Sequence, residues 1–252
     1  MHPLNQILTV FGLKLSKVNG FNVPRDNKEK EFRKKFDLDF EQIKNNRRGF
    51  EVYKEYRYQV GEHPKQQQDL EFEFVAYHLY KAKPIKILDI GTYRHFILGL
   101  LAHYEVTTVD IRKRRSMLDN ETIVTCDAKA LTFPNDSFES VVTLQCLPHI
   151  GLGRYGGEID LNADINAFKE MSRVLKPGGI LIFSTAITGG NPSIAWNARR
   201  NYSYEMIRGF CEGLDLVEEK FINRRDVRFC AIEELTTDPT LFDYYIGCWR
   251  KT

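Results

Sequence analysis

The sequence predicts an α/β protein built on a doubly wound, mostly parallel sheet, preceded by a helical appendage. Two observations carry this. Ile85-Lys-Ile-Leu-Asp-Ile-Gly91 is followed, at about the spacing of one β-α-β unit, by Val106-Thr-Thr-Val-Asp110. Both runs are short, rich in β-branched residues and closed by an acid, as suits strands buried on both faces of a parallel sheet. Further runs of the same kind recur at Thr122 to Cys126, Ser137 to Leu144 and Ile180 to Ile187.

In chain order, Leu4 to Leu15 has the apolar spacing of a short amphipathic helix. Lys28 to Phe36, continued by Phe40 and Ile43, suggests a second helix, strongly charged on one side. Residues 1–65 are therefore expected to form an appendage that covers substrate, packs on the mouth of the sheet domain or makes a homo-oligomer contact. Tyr53, Tyr56 and Tyr58 lie in a polar aromatic stretch and read either as packing aromatics or as substrate-facing groups. The sheet domain is expected over residues 66–252. Gln66 to Tyr80 fits a helix leading into the first strand, and Phe96 to Tyr104 fits the first crossover helix. Ala163 to Val174 is an amphipathic helix with Asn162 or Asp164 as its N-cap, turned into the fifth strand by Lys176-Pro-Gly-Gly179. A helix from Tyr204 to Glu212 precedes Leu214 to Ile222 and Leu241 to Arg250, which read as a closing antiparallel pair.

In a doubly wound sheet a ligand sits beyond the carboxyl ends of the strands. Gly91 lies at the first such end, where a missing Cβ lets a ligand approach the backbone. Asp110 closes the second strand and can accept hydrogen bonds from both hydroxyls of a ribose. Asp127 stands at the same edge after the third strand, either as an adenine contact or as a turn acid. The pair Gly91 and Asp110 indicates a nucleoside cofactor. A dinucleotide site needs Gly-x-Gly-x-x-Gly for its pyrophosphate, whereas this loop reads Gly91-Thr-Tyr-Arg-His-Phe96. That argues against a nicotinamide-dependent oxidoreductase and for S-adenosylmethionine, which has a ribose but no phosphate.

The residues resemble the class I S-adenosylmethionine-dependent methyltransferases. The resemblance runs through Leu88-Asp-Ile-Gly91, Val109-Asp-Ile111, Cys126-Asp-Ala128, Leu131 to Pro134, Leu147-Pro-His-Ile150 and Glu170 to Gly179, and covers roughly residues 70–252. Where the family usually has Gly-x-Gly, this chain has Gly91-Thr-Tyr93. The resemblance implies a Rossmann-like seven-stranded sheet and a cofactor set of Asp89, Gly91, Thr92, Asp110, Ile111, Asp127, Ala128, Leu144 and Gln145. Asp89 and Gly91 would take the methionine end. The product would be S-adenosylhomocysteine.

The long segment from Gln145 to Asp160, rich in glycine and polar groups, is the expected substrate segment, because a structural role alone rarely needs such a composition. His149, with an ordinary pKa near 6.5, is the candidate general base for a hydroxyl acceptor; the alternative is a packing histidine. Arg154 and Arg199 can fork onto a phosphate or carboxylate, or serve as surface ion-pair partners. Tyr155, Asp160, Asn191 and Tyr202 can bind sugar hydroxyls, or be solvated loop residues. The run from His149 to Gly156 also resembles a narrower methyltransferase-like group carrying a His-Val-Gly-Leu-Gly-Arg-Tyr-Gly stretch and associated with bacterial surface-polysaccharide assembly. That resemblance implies a sugar or nucleotide-sugar acceptor. An inactive binding or scaffold protein on the same fold is the rival reading.

Composition narrows the classes further. A net charge of +2 over 252 residues is no argument for a nucleic-acid methyltransferase, and the Lys and Arg that gather at Lys28 to Lys35 and at Arg112-Lys-Arg-Arg115 read as solvated helix and loop faces. The five cysteines, at 126, 146, 211, 230 and 248, show no metal-ligand or redox spacing, and the histidines likewise predict no metal. With no apolar run of membrane-spanning length and no signal-like start, the chain reads as a soluble cytoplasmic protein acting on a small molecule.

Overall fold

The computed structural model describes residues 27–58, 64–115 and 118–252, so the expected helix at Leu4 to Leu15 lies outside it. The chain divides into two compact units, Met1–His63 and Pro64–Thr252. In the first, α1 (Asn27–Asn45) forms where the charged amphipathic pattern predicts it. Tyr56 packs edge-on against Phe32 and Phe36, with ring centroids 5.9 and 5.2 Å away, and donates its hydroxyl to Glu29 at 3.2 Å. Tyr58 packs on Phe32. Tyr56 and Tyr58 are thus packing aromatics, whereas Tyr53 is 78% exposed.

The second unit runs α2 (Gln67–Ala82), β1 (Lys86–Ile90), α3 (Arg94–Leu100), β2 (Glu105–Asp110), β3 (Glu121–Thr125) and β4 (Phe138–Leu144). Then come α4 (Ala163–Val174), β5 (Leu175–Ile187), the hairpin strands β6 (Ser193–Ala195) and β7 (Arg199–Asn201), and α5 (Tyr204–Phe210). The chain closes with β8 (Leu214–Asn223), β9 (Arg228–Cys230) and β10 (Asp243–Lys251). The sheet order is β3-β2-β1-β4-β5-β10-β8-β9. β3 to β5 are mutually parallel in that order, and β10 is antiparallel to both β5 and β8. The expected seven strands are all present. The eighth, β9, is a three-residue edge strand too short to show a period in the sequence.

Alternation along each strand makes the two-sided core. Leu88, Val141, Leu181 and Phe183 join Phe168, Met171 and Val174 of α4 in one cluster. Ile87, Val142, Ile180 and Ile182 join Phe74, Val75 and Leu79 of α2 and Ile97 of α3 in the other. Burying aliphatic and aromatic side chains of this size contributes roughly 1.5–3 kcal/mol each. The crossover helix begins at Arg94, two residues before the expected start, and ends at Leu100.

Expectations at the start of α4 need correcting. Asn162 occupies the N-cap position but makes no side-chain cap, and its own N–H is taken by the Asp160 carboxylate at 3.0 Å. Asp164 is buried; it accepts from the Tyr202 hydroxyl at 2.8 Å and pairs with Arg200 Nε at 3.3 Å. Arg200 also donates to the carbonyls of Ile150 and Leu161, so one buried guanidinium joins β7, α4 and the segment after β4. Removing one partner of a buried ion pair strands the other charge, a cost of about 3–5 kcal/mol. Arg200→Ala should therefore lower stability by roughly that amount, read as a shift of the urea midpoint at unchanged slope; a shift no larger than that of an exposed arginine would refute the role.

Candidate functional site

The turn leaving β1 is held by its own side chains. Gly91 adopts φ +65°, and a Cβ there would lie 2.6 Å from Cys146 Sγ, so only glycine fits. The Gly91 N–H donates to the Val109 carbonyl at 3.2 Å, and the Thr92 N–H to Asp89 Oδ1 at 3.2 Å. The Thr92 hydroxyl accepts from Leu144 N–H at 3.2 Å, while Thr143 donates its hydroxyl to the Ile90 carbonyl at 2.9 Å. β1 and β4 are thus tied together at the ends that face a cavity of about 390 Å3.

Ten of the sequence-derived residues line this cavity: Gly91, Asp110, Ile111, Asp127, Ala128, Leu144, Gln145, His149, Arg154 and Tyr155. Asp89 and Thr92 do not; both are buried behind the wall and shape the turn. Of the substrate candidates, Asp160, Asn191, Arg199 and Tyr202 also lie off the wall. Tyr202 is fully buried with its hydroxyl on Asp164, so it is a core residue and not a sugar contact. Asp160 is spent on Lys129 Nζ at 3.1 Å and on the Asn162 N–H. Asn191 is exposed in the loop after β5. Arg199 lies over the Phe242 ring, its Cζ 3.9 Å from the centroid.

The glycines of the segment 145–160 have a structural reason after all. Gly151, Gly153 and Gly156 have φ of +77°, +69° and +81°, and a Cβ at Gly151 would stand 2.1 Å from the Asp160 carbonyl oxygen. These turns let Leu152 bridge to Ile159, folding the segment into a lobe over the cavity. Lys129 fastens the lobe to the end of β3 by bridging Asp127 and Asp160.

Some wall residues were not anticipated. Arg112 forks onto Asp110, with Nε 3.0 Å from Oδ1 and Nη2 2.9 Å from Oδ2, and its backbone N–H adds a bond of 2.9 Å. Its Cζ lies 4.7 Å from the Tyr155 centroid, so the lobe tip and the end of β2 meet across the mouth. Burial raises the Asp110 carboxyl, but the bonds from Arg112 and the charges of Arg112 and Arg114 outweigh it and hold the pKa below the ordinary carboxylate value. Cys146 is pushed up to about 12 by burial, with the charges of Asp89 and Asp110 adding to it. Gln145, at φ +55°, donates its amide to Glu71 Oε1 of α2 at 2.7 Å, which brings that helix to the cavity edge. The only signal in the sequence for Arg112 is its position two residues beyond Asp110.

His149 ends the short 3-10 turn Leu147–His149, and its Nδ1 faces the Ala198 carbonyl. With Nδ1–H donated there, Nε2 keeps its lone pair. Arg154 Nη1 lies 3.0 and 3.2 Å from the two ring nitrogens. Burial, then the charges of Arg154 and Arg199, hold the imidazole below 6.5, against the opposing bond to Ala198. The ring is therefore neutral at pH 7.

Residues 88–183 match the family model described as a methyltransferase domain. Comparison with curated proteins gives no match. Among solved structures, the fold is similar to a Burkholderia thailandensis 1,6-didemethyltoxoflavin-N1-methyltransferase with bound 1,6-didemethyltoxoflavin and S-adenosylhomocysteine, at TM-score 0.56, 14% identity and 92% of each chain. It is also similar to the N-methyltransferase NodS of Bradyrhizobium japonicum WM9 in complex with S-adenosylhomocysteine, at TM-score 0.52, 17% identity, 73% of this chain and 86% of that one. A third similar structure is the [4+2]-cyclase SpnF, at TM-score 0.53, 16% identity, 73% of this chain and 80% of that one. Residues 88–183 thus match a methyltransferase domain, and the fold is the Rossmann-like sheet also seen in these structures.

Two titrations test the site. Arg154→Ala removes the cation beside His149 and should raise the ring pKa toward 6.5, read by NMR of the imidazole protons; an unmoved midpoint would show that the contact is absent in solution. Burial raises Asp89 to about 7, against bonds from Thr92, and Oδ2 has no hydrogen-bond partner among the described residues. A carboxyl raised in the folded state contributes stability below its unfolded pKa that is lost as pH rises toward 7. Asp89→Asn should therefore gain melting temperature relative to the wild-type chain between pH 5 and pH 8, and a difference independent of pH would contradict the buried, protonatable carboxyl.

Proposed function

We propose that the chain is an S-adenosylmethionine-dependent O-methyltransferase that acts on a sugar or nucleotide-sugar in bacterial capsule or other surface-polysaccharide biosynthesis. One observation carries the cofactor part: Gly91, Asp110 and Asp127 converge on one cavity at the carboxyl ends of β1, β2 and β3. The residues fit the group. Two carboxylates suit a ribose diol and an adenine amino group, the bare Gly91 backbone suits the methionine end, and no pyrophosphate cradle is needed. The cofactor, when bound, supplies a methyl group already made electrophilic by its sulfonium.

What remains for the chain is alignment, exclusion of water and one proton. Asp110 takes the ribose by exchanging bonds with Arg112, and Asp127 takes the adenine. The lobe 151–160 covers the cavity and keeps water out. His149 accepts the proton of the acceptor hydroxyl at Nε2, since Nδ1 is committed to the Ala198 carbonyl. Arg154 and Tyr155, both on the wall, face the acceptor. The carbohydrate class rests on the resemblance of the run from His149 to Gly156. The N-terminal unit is assigned to substrate cover or to an oligomer contact.

A second reading, a catalytically inactive protein on this fold, is favoured by one feature: Arg112 already occupies both oxygens of Asp110. Calorimetry separates the two. Saturable one-site binding of S-adenosylmethionine and S-adenosylhomocysteine is expected, weakened at least about tenfold in Asp110→Ala by the loss of charged hydrogen bonds. Absence of heat and of thermal shift at high ligand concentration would put the inactive reading first, and unchanged affinity in the variant would sink the ribose assignment.

A further inference from the structure

Among the described residues several arginines pair with a carboxylate. Arg94 pairs with Glu121, Arg112 and Arg114 with Asp110, Arg173 with Glu170, Arg200 with Asp164 and Arg228 with Glu234. Arg199 and Arg224 do not. Their Cζ atoms lie 3.9 and 4.4 Å from the centroid of the same ring, Phe242, and neither has a carboxylate partner among the described residues. Arg199 donates only to neutral oxygens, Asn201 Oδ1 at 3.0 Å and the Thr240 carbonyl at 3.4 Å. The two positive charges oppose each other: Arg199 is held below its ordinary pKa first by burial and next by Arg224.

The fold puts this pair beside the cavity. Arg199 opens β7, one residue after the Ala198 carbonyl that faces His149, and its charge reaches the imidazole. Arg224 follows the end of β8, and its backbone N–H donates to Asp243, the first residue of β10, at 2.8 Å. Asp243 is in register with Ile187 at the carboxyl end of β5, so the pair stands at the same sheet edge as the cavity. The Arg224 side chain also lies against Tyr244. Two planar forks held on one aromatic ring, neither bound to a carboxylate, are placed to grip one anion between them.

We infer that Arg199 and Arg224, held by Phe242, form the subsite for a phosphoryl group of the methyl acceptor, next to but outside the cofactor cavity. The assignment to the acceptor rests on the methyltransferase reading; the anion site itself does not. It implies an acceptor that carries a phosphoryl group besides its methylated hydroxyl, as a sugar phosphate or nucleotide-sugar does and a free monosaccharide does not.

The test uses the full chain and inorganic pyrophosphate, titrated by calorimetry at fixed ionic strength, with S-adenosylhomocysteine titrated into the same samples. Saturable binding of pyrophosphate is expected, weakened about tenfold in Arg224→Gln and less in Arg224→Lys, which keeps the charge but loses the fork. Arg224 is exposed, so the fold tolerates the change, and unaltered affinity for S-adenosylhomocysteine would verify it. No saturable binding of pyrophosphate to the wild-type chain, or equal binding by Arg224→Gln, would overturn the subsite. Failure of S-adenosylhomocysteine to bind the wild-type chain would sink the methyltransferase reading instead, leaving the pyrophosphate result to stand by itself.

Discussion

Two threonine hydroxyls and one buried carboxylate hold the carboxyl ends of β1 and β4 together, and the site depends on that clasp. Thr143 bonds back to Ile90, Leu144 bonds forward to Thr92, and Asp89 secures the Thr92 backbone. Parallel neighbours at a switch in strand order leave a crevice where their connections diverge. Left to themselves, the two connections would be mobile loops. The clasp fixes their first residues, so the left-handed backbone at Gly91 and the strained one at Gln145 face each other across a set gap. Every residue on the cavity wall is placed relative to that gap.

Around this frame the protein uses charge mostly to connect segments. Arg200 joins a hairpin, a helix and the lobe through one buried guanidinium. Lys129 joins the end of β3 to the lobe through two carboxylates. For the buried Arg200–Asp164 pair, removal of one partner costs far more than the pair contributes, because the remaining group has lost its water, whereas the partly exposed Lys129 contacts keep theirs. Polar residues in the loops therefore divide between those that build the lobe and those that face the cavity, and composition alone does not separate them.

The sheet was legible in the sequence because its signal is local. Short β-branched runs that end in an acid mark β1 and β2, further short apolar runs mark β3 and β4, and Gly91, Asp110 and Asp127 follow from their place at strand ends. The misreadings share a physical cause, which is long-range pairing. Tyr202 looks like a polar loop residue until the bridge from Ile187 draws it into the core against Asp164. Asp160 looks free until Lys129 comes across from β3. The glycines of the lobe suggested ligand binding, yet their positive φ values and the Leu152 to Ile159 bridge account for them. Arg224 and Phe242 are separated from Arg199 by enough chain that no spacing links them.

The buried thiol of Cys146 has a consequence for the chemistry that can be run beside it. Thiolates are the most nucleophilic groups a protein offers to a soft electrophile, and a neutral thiol reacts far more slowly. Set under Gly91 between Asp89 and Asp110, with its pKa pushed up to about 12, this sulfur stays protonated at every physiological pH. The wall thus carries a polarizable sulfur that a soft electrophile in the cavity would meet as a thiol and not as a thiolate.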